Sequence, residues 1–411
     1  MTLLRRKYLF YSLSLASGIL AAFVVAIDVW INTTAIHDPH IFGVSLFIVG
    51  VIVHIILLIA LNTKIGKDMV LGEFLDPSFR GIIIPRGKLL KYMIIAGVGN
   101  AISSMSYFFI ISEVPDPSAI MPFTNLVTAY LVIGDLVTEK EKPSVVEIHS
   151  IFMIIFGAFL VTLSKGTIDP LGLLLVLGPM NMGTFIYIYA QKRARMIKID
   201  EYHFDSINLR VWSLIFTAIL FTTIMPFMIP LGQIVNACYV AITYFPLLAF
   251  DMIVTFLSYV LYIRALGLGK MSVVNALYSI SVVVGLPITI ILASLFPGVF
   301  LFPELTGVFG VIKVIGIIFV FLGMIALSLS EVTAYVFIKA KPRETQELIR
   351  NLLKIKGVEY ISVTAGRYDY ILRVKLRSLG KAYDNIVREL SRIDGISDFI
   401  WVSVLKEWER I

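Results

Sequence analysis

Ten separate stretches of this chain each carry about twenty mostly apolar residues, and that recurrence restricts its possible folds more than any other feature. A helix of that length matches the hydrocarbon thickness of a bilayer. Within a bilayer only helices and closed barrels satisfy every backbone hydrogen bond. The pattern predicts membrane-spanning helices over 8–30, 41–61, 92–112, 118–137, 145–164, 171–190, 209–229, 240–263, 271–296 and 310–330. The first run is too long for a signal-peptide core and no A-x-A-type site closes it, so it is expected to be retained as a helix.

Charge supplies an independent check. Of the 20 Lys and Arg residues in 1–330, 18 fall at the N-terminus or in the even-numbered gaps, among them Lys64, Lys67, Arg80, Lys192, Arg195, Arg210 and Arg264. Only Lys165 and Lys313 fall on the other side. The positive-inside rule then places both ends of a ten-helix body in the cytoplasm of the cell membrane. The same bias explains the net charge of +7, which in a soluble protein would suggest nucleic acid. A single cysteine, Cys238, excludes an intrachain disulfide and a cysteine-rich metal centre.

Ten helices read as two fives, and a five-helix unit repeated in sequence must insert with opposite orientation. SYFFII (106–111) and SYVLYI (258–263) lie 152 residues apart, and Asn125 is matched by Asn275 at nearly the same spacing. Residues 113–132 (EVPDPSAIMPFTNLVTAYLV) and 263–296 lead in each half into a glycine-containing closing helix, 151–164 and 314–330. In these features residues 1–330 resemble the drug/metabolite transporter superfamily, the EamA-type ten-helix permeases. The resemblance implies two inverted repeats, at about 1–165 and 166–330, around a central substrate cavity. The long gap 62–91 departs from the compact family pattern.

Polar residues deep in apolar helices are costly and mark candidate sites. Asp251, in the middle of the eighth run (PLLAFDMIVTFLSY), is the sharpest candidate for a transport cavity. Asn100, Asn125, Asn181 and Asn275 are candidate cavity amides, against the alternative of interhelical hydrogen bonding. Tyr107 and Tyr259, in the paired SY dipeptides, are candidates to stack on a solute or hydrogen-bond with it. Asp28 is expected at the outer end of its helix within reach of water, Lys313 to snorkel outward, and His54 to pack. Pro122, Pro179, Pro226, Pro246 and Pro287 are expected to mark bends, with the ninth helix kinked at Pro287.

Residues 331–411 differ in kind: they hold 26 of the 63 charged residues, in a chain that is only 15% charged overall. Alternation over 333–341, 358–366, 368–378 and 396–406 predicts strands, and apolar stripes over 342–357 and 379–395 predict helices closed by Gly357 and Gly395. The order is βαββαβ, the ferredoxin-like arrangement, so this is a separate α+β domain. GVEYISVTAGRYDYILRVKL, LSRIDGIS and the Gly-x-Tyr-Asp turn at 366–369 resemble the effector-binding domain of the Lrp/AsnC regulators. That resemblance implies homodimerisation and a small-molecule effector, often an amino acid, with Gly366, Tyr368 and Asp369 lining its site. The residue-level alternative is that Gly366 serves a left-handed turn and Asp369 caps backbone. The basic face of Arg373, Lys375 and Arg377 is expected to meet solvent or lipid headgroups.

No P-loop, HExxH or catalytic constellation is present, so an enzyme is not expected and no cofactor or metal is implied. The expected function is secondary transport of a small metabolite, an amino acid or derivative, by alternating access. The cytoplasmic tail would regulate it. The alternative is a membrane-bound small-molecule sensor without transport.

Overall fold

The computed structural model describes residues 3–65, 69–113, 117–139, 145–163, 174–199, 202–297, 300, 307–329, 332–341, 345–355, 357–376 and 386–403. The chain forms two compact units, one of Met1–Pro143 with His149–Met324 and a second of Ser144–Ile148 with Ile325–Ile411.

The first unit is helical: α1 (Leu3–Thr34), α2 (Pro39–Leu61), α3 (Lys88–Glu113), α4 (Pro117–Asn125), α5 (Val127–Glu139), α6 (Val145–Leu163), α7 (Asn181–Arg195), α8 (Ser206–Ile224), α9 (Leu231–Thr243), α10 (Phe245–Leu266), α11 (Met271–Tyr278), α12 (Ile280–Leu295) and α13 (Gly307–Leu329). Among the described residues six helices are long and apolar enough to cross a membrane: Leu9–Thr34, Pro39–Leu61, Lys88–Ser112, Ser206–Phe227, Phe245–Leu266 and Met271–Leu295. Their outward faces carry large exposed apolar side chains such as Ile56, Ile59, Ile219, Phe250 and Ile291, as a lipid-facing surface requires.

Local chemistry sets several boundaries. Asp38 caps α2 by accepting from the amides of His40 and Ile41, with Pro39 at the first helical position. Helix α10 starts at Phe245, later than its apolar run over 240–263 suggests, because the first residues of that run belong to α9, which meets α10 through a single bent residue, Tyr244. The i to i+4 bonds continue across that bend, since Tyr244 N–H donates to the Val240 carbonyl and Leu248 N–H to that of Tyr244. The kink expected at Pro287 lies instead at Ser279, whose hydroxyl and amide both take the Asn275 carbonyl. The break between α4 and α5 falls at Leu126, and there the side-chain amide of Asn181 donates to the Phe123 carbonyl at 3.1 Å. Breaks of this kind persist in a membrane only where a neighbouring side chain re-satisfies the backbone.

Close crossings tie the helices together. A methyl group on Gly99 of α3 would stand 2.6 Å from the Gly183 carbonyl oxygen of α7, and one on Gly183 would stand 2.5 Å from the Gly99 oxygen. Gly157 of α6 and Gly316 of α13 meet in the same reciprocal way, at 2.5 and 2.6 Å. Ser17 of α1 and Ser258 of α10 exchange hydroxyl-to-carbonyl hydrogen bonds of 2.8 and 3.0 Å. Small residues at these points let backbones approach to van der Waals contact.

Segment 62–87 is built as a strap, with a β1 (Lys64–Ile65) and β2 (Met69–Val70) hairpin followed by a 3-10 turn at Leu71–Phe74. Asp76 anchors it: its carboxylate pairs with Arg195 at 2.9 Å and accepts from the Ser206 amide and hydroxyl at 2.8 and 2.7 Å. Burial raises the Asp76 carboxyl, but Arg195 and the Ser206 and Ser78 hydrogen bonds outweigh it and leave it below its ordinary value. Further along, Asn208 bonds Gly81 and Ile83, and Trp212 Nε1 donates to the Ile83 carbonyl at 2.8 Å. Two cations expected in loops thus act in structure: Arg195 also donates to the Phe204 carbonyl, and Lys192 donates to those of Leu266 and Gly269. A second hairpin, β3 (Lys198–Ile199) with β4 (Tyr202–His203), leads to Asp205, the cap of α8. Burial pushes Asp205 up to about 6, despite two hydrogen bonds from Asn208.

The second unit contains β5 (Val332–Ala340), α14 (Thr345–Leu353), β6 (Val358–Val363), β7 (Tyr370–Leu376), a helical turn over 386–390 and β8 (Ile396–Ser403). Its sheet order is β6-β7-β5-β8 with antiparallel neighbours, as the ferredoxin-like order requires. Val336, Ile338, Leu372 and Val374 fill one face of the sheet against Leu348, Leu352 and Ile355 of the first helical segment and Ile386 and Leu390 of the second. Gly357 and Gly395 adopt positive φ, 97° and 117°, where a side chain would be strained. Of the basic face, Arg373 pairs with Glu359 at 3.7 Å, and the side chains of Lys375 and Arg377 lie outside the described residues.

Candidate functional site

A cavity of about 160 Å³ opens among the helices of the first unit. Its walls come from α1 (Asp28), α2 (Phe47), α3 (Asn100, Ser103, Tyr107), α7 (Thr184, Tyr187), α8 (Arg210), α10 (Asp251, Thr255, Tyr259, Tyr262) and α11 (Asn275, Tyr278). The lining thus combines aromatic rings with a few convergent polar groups, the usual make-up of a small-solute site.

One end is acidic. Asp28 accepts from the Tyr107 hydroxyl at 2.6 Å, and its carboxyl approaches that of Asp251 without meeting hydrogen-bond geometry. Asp251 is fully buried, and among the described residues neither of its oxygens has a hydrogen-bond partner. Another wall is basic. Arg210 is 2% exposed; its Nε donates to His54 Nε2 at 3.2 Å, and its guanidinium carbon lies 4.1 Å from the centre of the Tyr259 ring. Such stacking stabilises a desolvated cation by about 2 kcal/mol. Among the described residues no acceptor meets hydrogen-bond geometry with Arg210 Nη1, and the Tyr187 hydroxyl lies beside the guanidinium. As an acceptor from Arg210 Nε–H, His54 Nε2 is the ring nitrogen turned toward the guanidinium.

The structure brings Asp251, Asn100, Tyr107, Tyr259 and Asn275 to this cavity. Asn100 donates to Thr217 at 3.2 Å, and Asn275 accepts from Tyr262 while donating to Thr128 at 2.8 Å. Asn125 and Asn181 are placed elsewhere. Asn125 donates to the Met121 carbonyl and Ser281 and accepts from Ser279, clamping α4 to the α11–α12 break. Asn181 is turned onto the Phe123 and Val176 carbonyls, where broken helix geometry frees acceptors.

Three expectations are corrected. Asp28 is 3% exposed and faces inward, because α1 continues to Thr34 and leaves Asp28 more than a turn from its end. Arg210, counted as a loop cation, lies a turn inside α8 and is buried. Lys313 is 1% exposed, so it does not snorkel outward. Arg210 and Tyr187 belong to the site without having stood out in the sequence. An arginine fifteen residues beyond Arg195, in the same predicted gap as Lys192 and Arg193, reads as one more loop cation until the helix start at Ser206 is known.

In the second unit Asp369 accepts from Ala340 N–H at 2.7 Å, and its own amide donates to the Ile338 carbonyl. It pins the β6–β7 turn to the end of β5. Tyr368 packs on Phe337 with ring centres 5.5 Å apart and has Arg367 over its face. Gly366 is exposed, has no positive φ, and a methyl group added there would meet nothing within 4 Å. A left-handed turn is therefore not what a glycine serves at this position. Among the described residues no cluster of three or more His, Cys, Asp or Glu is arranged to hold a metal.

Residues 333–410 match the Lrp/AsnC ligand binding domain. The chain is 25% identical over 80 residues to an uncharacterized HTH-type transcriptional regulator of Pyrococcus abyssi, an alignment covering 19% of this chain and 51% of that protein. The chain thus spans about half the length of that curated relative. Among solved structures, one described only as the crystal structure of a protein aligns at 14% identity over 77% of this chain and 98% of the other, with a TM-score of 0.48. The crystal structure of PH0061 aligns at 18% identity over 32% of this chain and 76% of the other, with a TM-score of 0.19.

Proposed function

We propose that the protein is a secondary transporter of a small metabolite, an amino acid or a derivative, gated by its Lrp/AsnC-type tail. The observation that carries this reading is the buried polar cavity, with charged groups the protein leaves unpaired in the middle of apolar helices. Ionisable residues at membrane depth are retained where a solute or ion path needs them.

The crossings favour two inverted repeats and ten spans. The Gly99–Gly183 contact joins α3 to α7, and Ser17–Ser258 joins α1 to α10. In the two-fives order these are equivalent crossings, the first predicted span with the eighth and the sixth with the third. Asn125 and Asn275 are likewise reciprocal: each bonds a hydroxyl residue on the broken helix that carries the other. Alternating access would rock one repeat against the other about these contacts. Both termini would be cytoplasmic, as the loop cations suggest, and the tail would dimerise and bind an effector.

The test is flux in proteoliposomes with a panel of amino acids. Asp251→Asn is expected to lower flux at least tenfold while the protein remains monodisperse; wild-type flux in that variant would remove the assigned role of the cavity. The match of the tail to a ligand-binding domain favours a second reading, a membrane-bound sensor. Solute binding with no flux for any solute in the panel would select it.

A further inference from the structure

An ionised group inside a membrane protein is costly unless an opposite charge or a full set of hydrogen bonds compensates it. The cavity contains two poles that the chain leaves incomplete. At the first, both oxygens of fully buried Asp251 and Oδ1 of Asp28 lack hydrogen-bond partners among the described residues. Two carboxyls this close do not both ionise cheaply, and among the described residues no cation stands beside them. At the second, among the described residues no acceptor meets hydrogen-bond geometry with Nη1 of Arg210, and no carboxylate lies within 4 Å of its guanidinium. An arginine cannot neutralise itself by losing its proton. The poles belong to one cavity and do not pair with each other.

The surroundings hold this arrangement open. Tyr259 covers one face of the Arg210 guanidinium and His54 takes its Nε, so the planar fork is fixed with its Nη1 edge unspent. Tyr107 holds Asp28 from the other side. A guanidinium fork presented edge-on suits a carboxylate, and two neighbouring carboxyls with unspent oxygens suit an ammonium.

We propose that the cavity binds a compact zwitterion, its ammonium against Asp28 and Asp251 and its carboxylate against Arg210, with His54 as the residue that positions Arg210. The solute is recognised by carrying both charges at once, since either charge alone leaves the opposite pole buried and unpaired. A volume of about 160 Å³ admits a small amino acid and is well below that of sites for drug-sized ligands. The inference rests on the transport reading only in taking this zwitterion as the cargo.

The test is equilibrium binding to the full chain in lipid nanodiscs. The twenty common L-amino acids are screened first, and L-valine is compared with isobutylamine and isovalerate, which have its shape and one charge each. Zwitterions are expected to bind at least about tenfold tighter than either single-charge analogue. Because the tail has its own candidate ligand site, the component that counts is the one Arg210→Gln removes. Arg210→Gln should weaken zwitterion binding at least tenfold and relatively favour isobutylamine, and Asp251→Asn should do the reverse with isovalerate. His54→Ala should weaken zwitterions and isovalerate alike and leave isobutylamine unchanged. Equal binding of valine and a single-charge analogue overturns the proposal, as does zwitterion binding indifferent to Arg210→Gln, or no binding of any amino acid. If Arg210→Gln does not fold, Asp251→Asn and the wild-type analogue series decide. Flux of a singly charged solute with no zwitterion binding would refute this site while sparing the transport reading; zwitterion binding without flux would do the opposite.

Discussion

At the scale of single residues, two buried aspartates a short distance apart in the fold should respond to pH with opposite sign. Asp76 has a folded pKa below its ordinary 3.8, so its stabilising contribution is present above about pH 4 and disappears as pH falls through the depressed value. Asp76→Asn leaves Arg195 buried and uncompensated, and is expected to cost about 3–5 kcal/mol near pH 7. Asp205, raised from 3.8 to about 6, contributes the other way: ionising it opposes folding, so stability is lost as pH rises from about 4 through 6. Asp205→Asn keeps a capping oxygen and removes that charge. Its stability relative to the wild type should grow by up to about 3 kcal/mol between pH 4 and 7.5, whereas Asp205→Ala should lose about 1 kcal/mol of capping at low pH. Thermal unfolding of the solubilised protein across this range checks both, and a wild-type slope in Asp205→Asn would refute the assignment.

At the scale of elements, the crossings decide which substitutions the helices tolerate. Gly99→Ala places a methyl 2.6 Å from backbone oxygen and nitrogen atoms of α7, which cannot move aside as a side chain would. It is expected to cost about 1–3 kcal/mol through forced separation. Gly232→Ala, with nothing within 4 Å of the added methyl, should match the wild type. Melting temperatures of the two variants test the difference. In the tail, Asp369→Ala removes the acceptor for Ala340 N–H, and should release the β6–β7 turn by about 1–2 kcal/mol. Hydrogen exchange would show this as faster exchange at Ala340, with the β5–β7 ladder beyond Ile338 little changed.

For the whole molecule, the joining of an apolar helical unit to a ligand-binding tail makes a specific expectation. An amino acid supplied only on the side of the vesicle that the tail faces should change the maximal flux of a separate cargo. Tyr368→Ala should reduce that modulation without abolishing flux. Coupling of this kind requires the effector to bind differently in two transport states, so flux indifferent to every amino acid on the tail side would remove the regulatory role proposed for the tail.

The sequence alone determined what depends on neighbours along the chain. Apolar runs of bilayer length, the strand alternation of the tail, the stops at Gly357 and Gly395 and the turn at 366–369 are local periodicities, and solvent or lipid enforces them residue by residue. It also singled out Asp251, because a carboxyl in an apolar run is conspicuous wherever the helix goes. What only the tertiary structure decided is which polar groups meet. Asp28 read as a helix end and Arg210 as a loop cation; helix starts and ends shifted by a few residues carry both into the interior, where Tyr107 and His54 hold them. Asn125 and Asn181 looked as much like cavity residues as Asn100, yet helix breaks at Leu126 and Ser279 turn them onto freed carbonyls and hydroxyls. A buried amide takes whichever unpaired partner the packing presents, and that partner is distant in sequence.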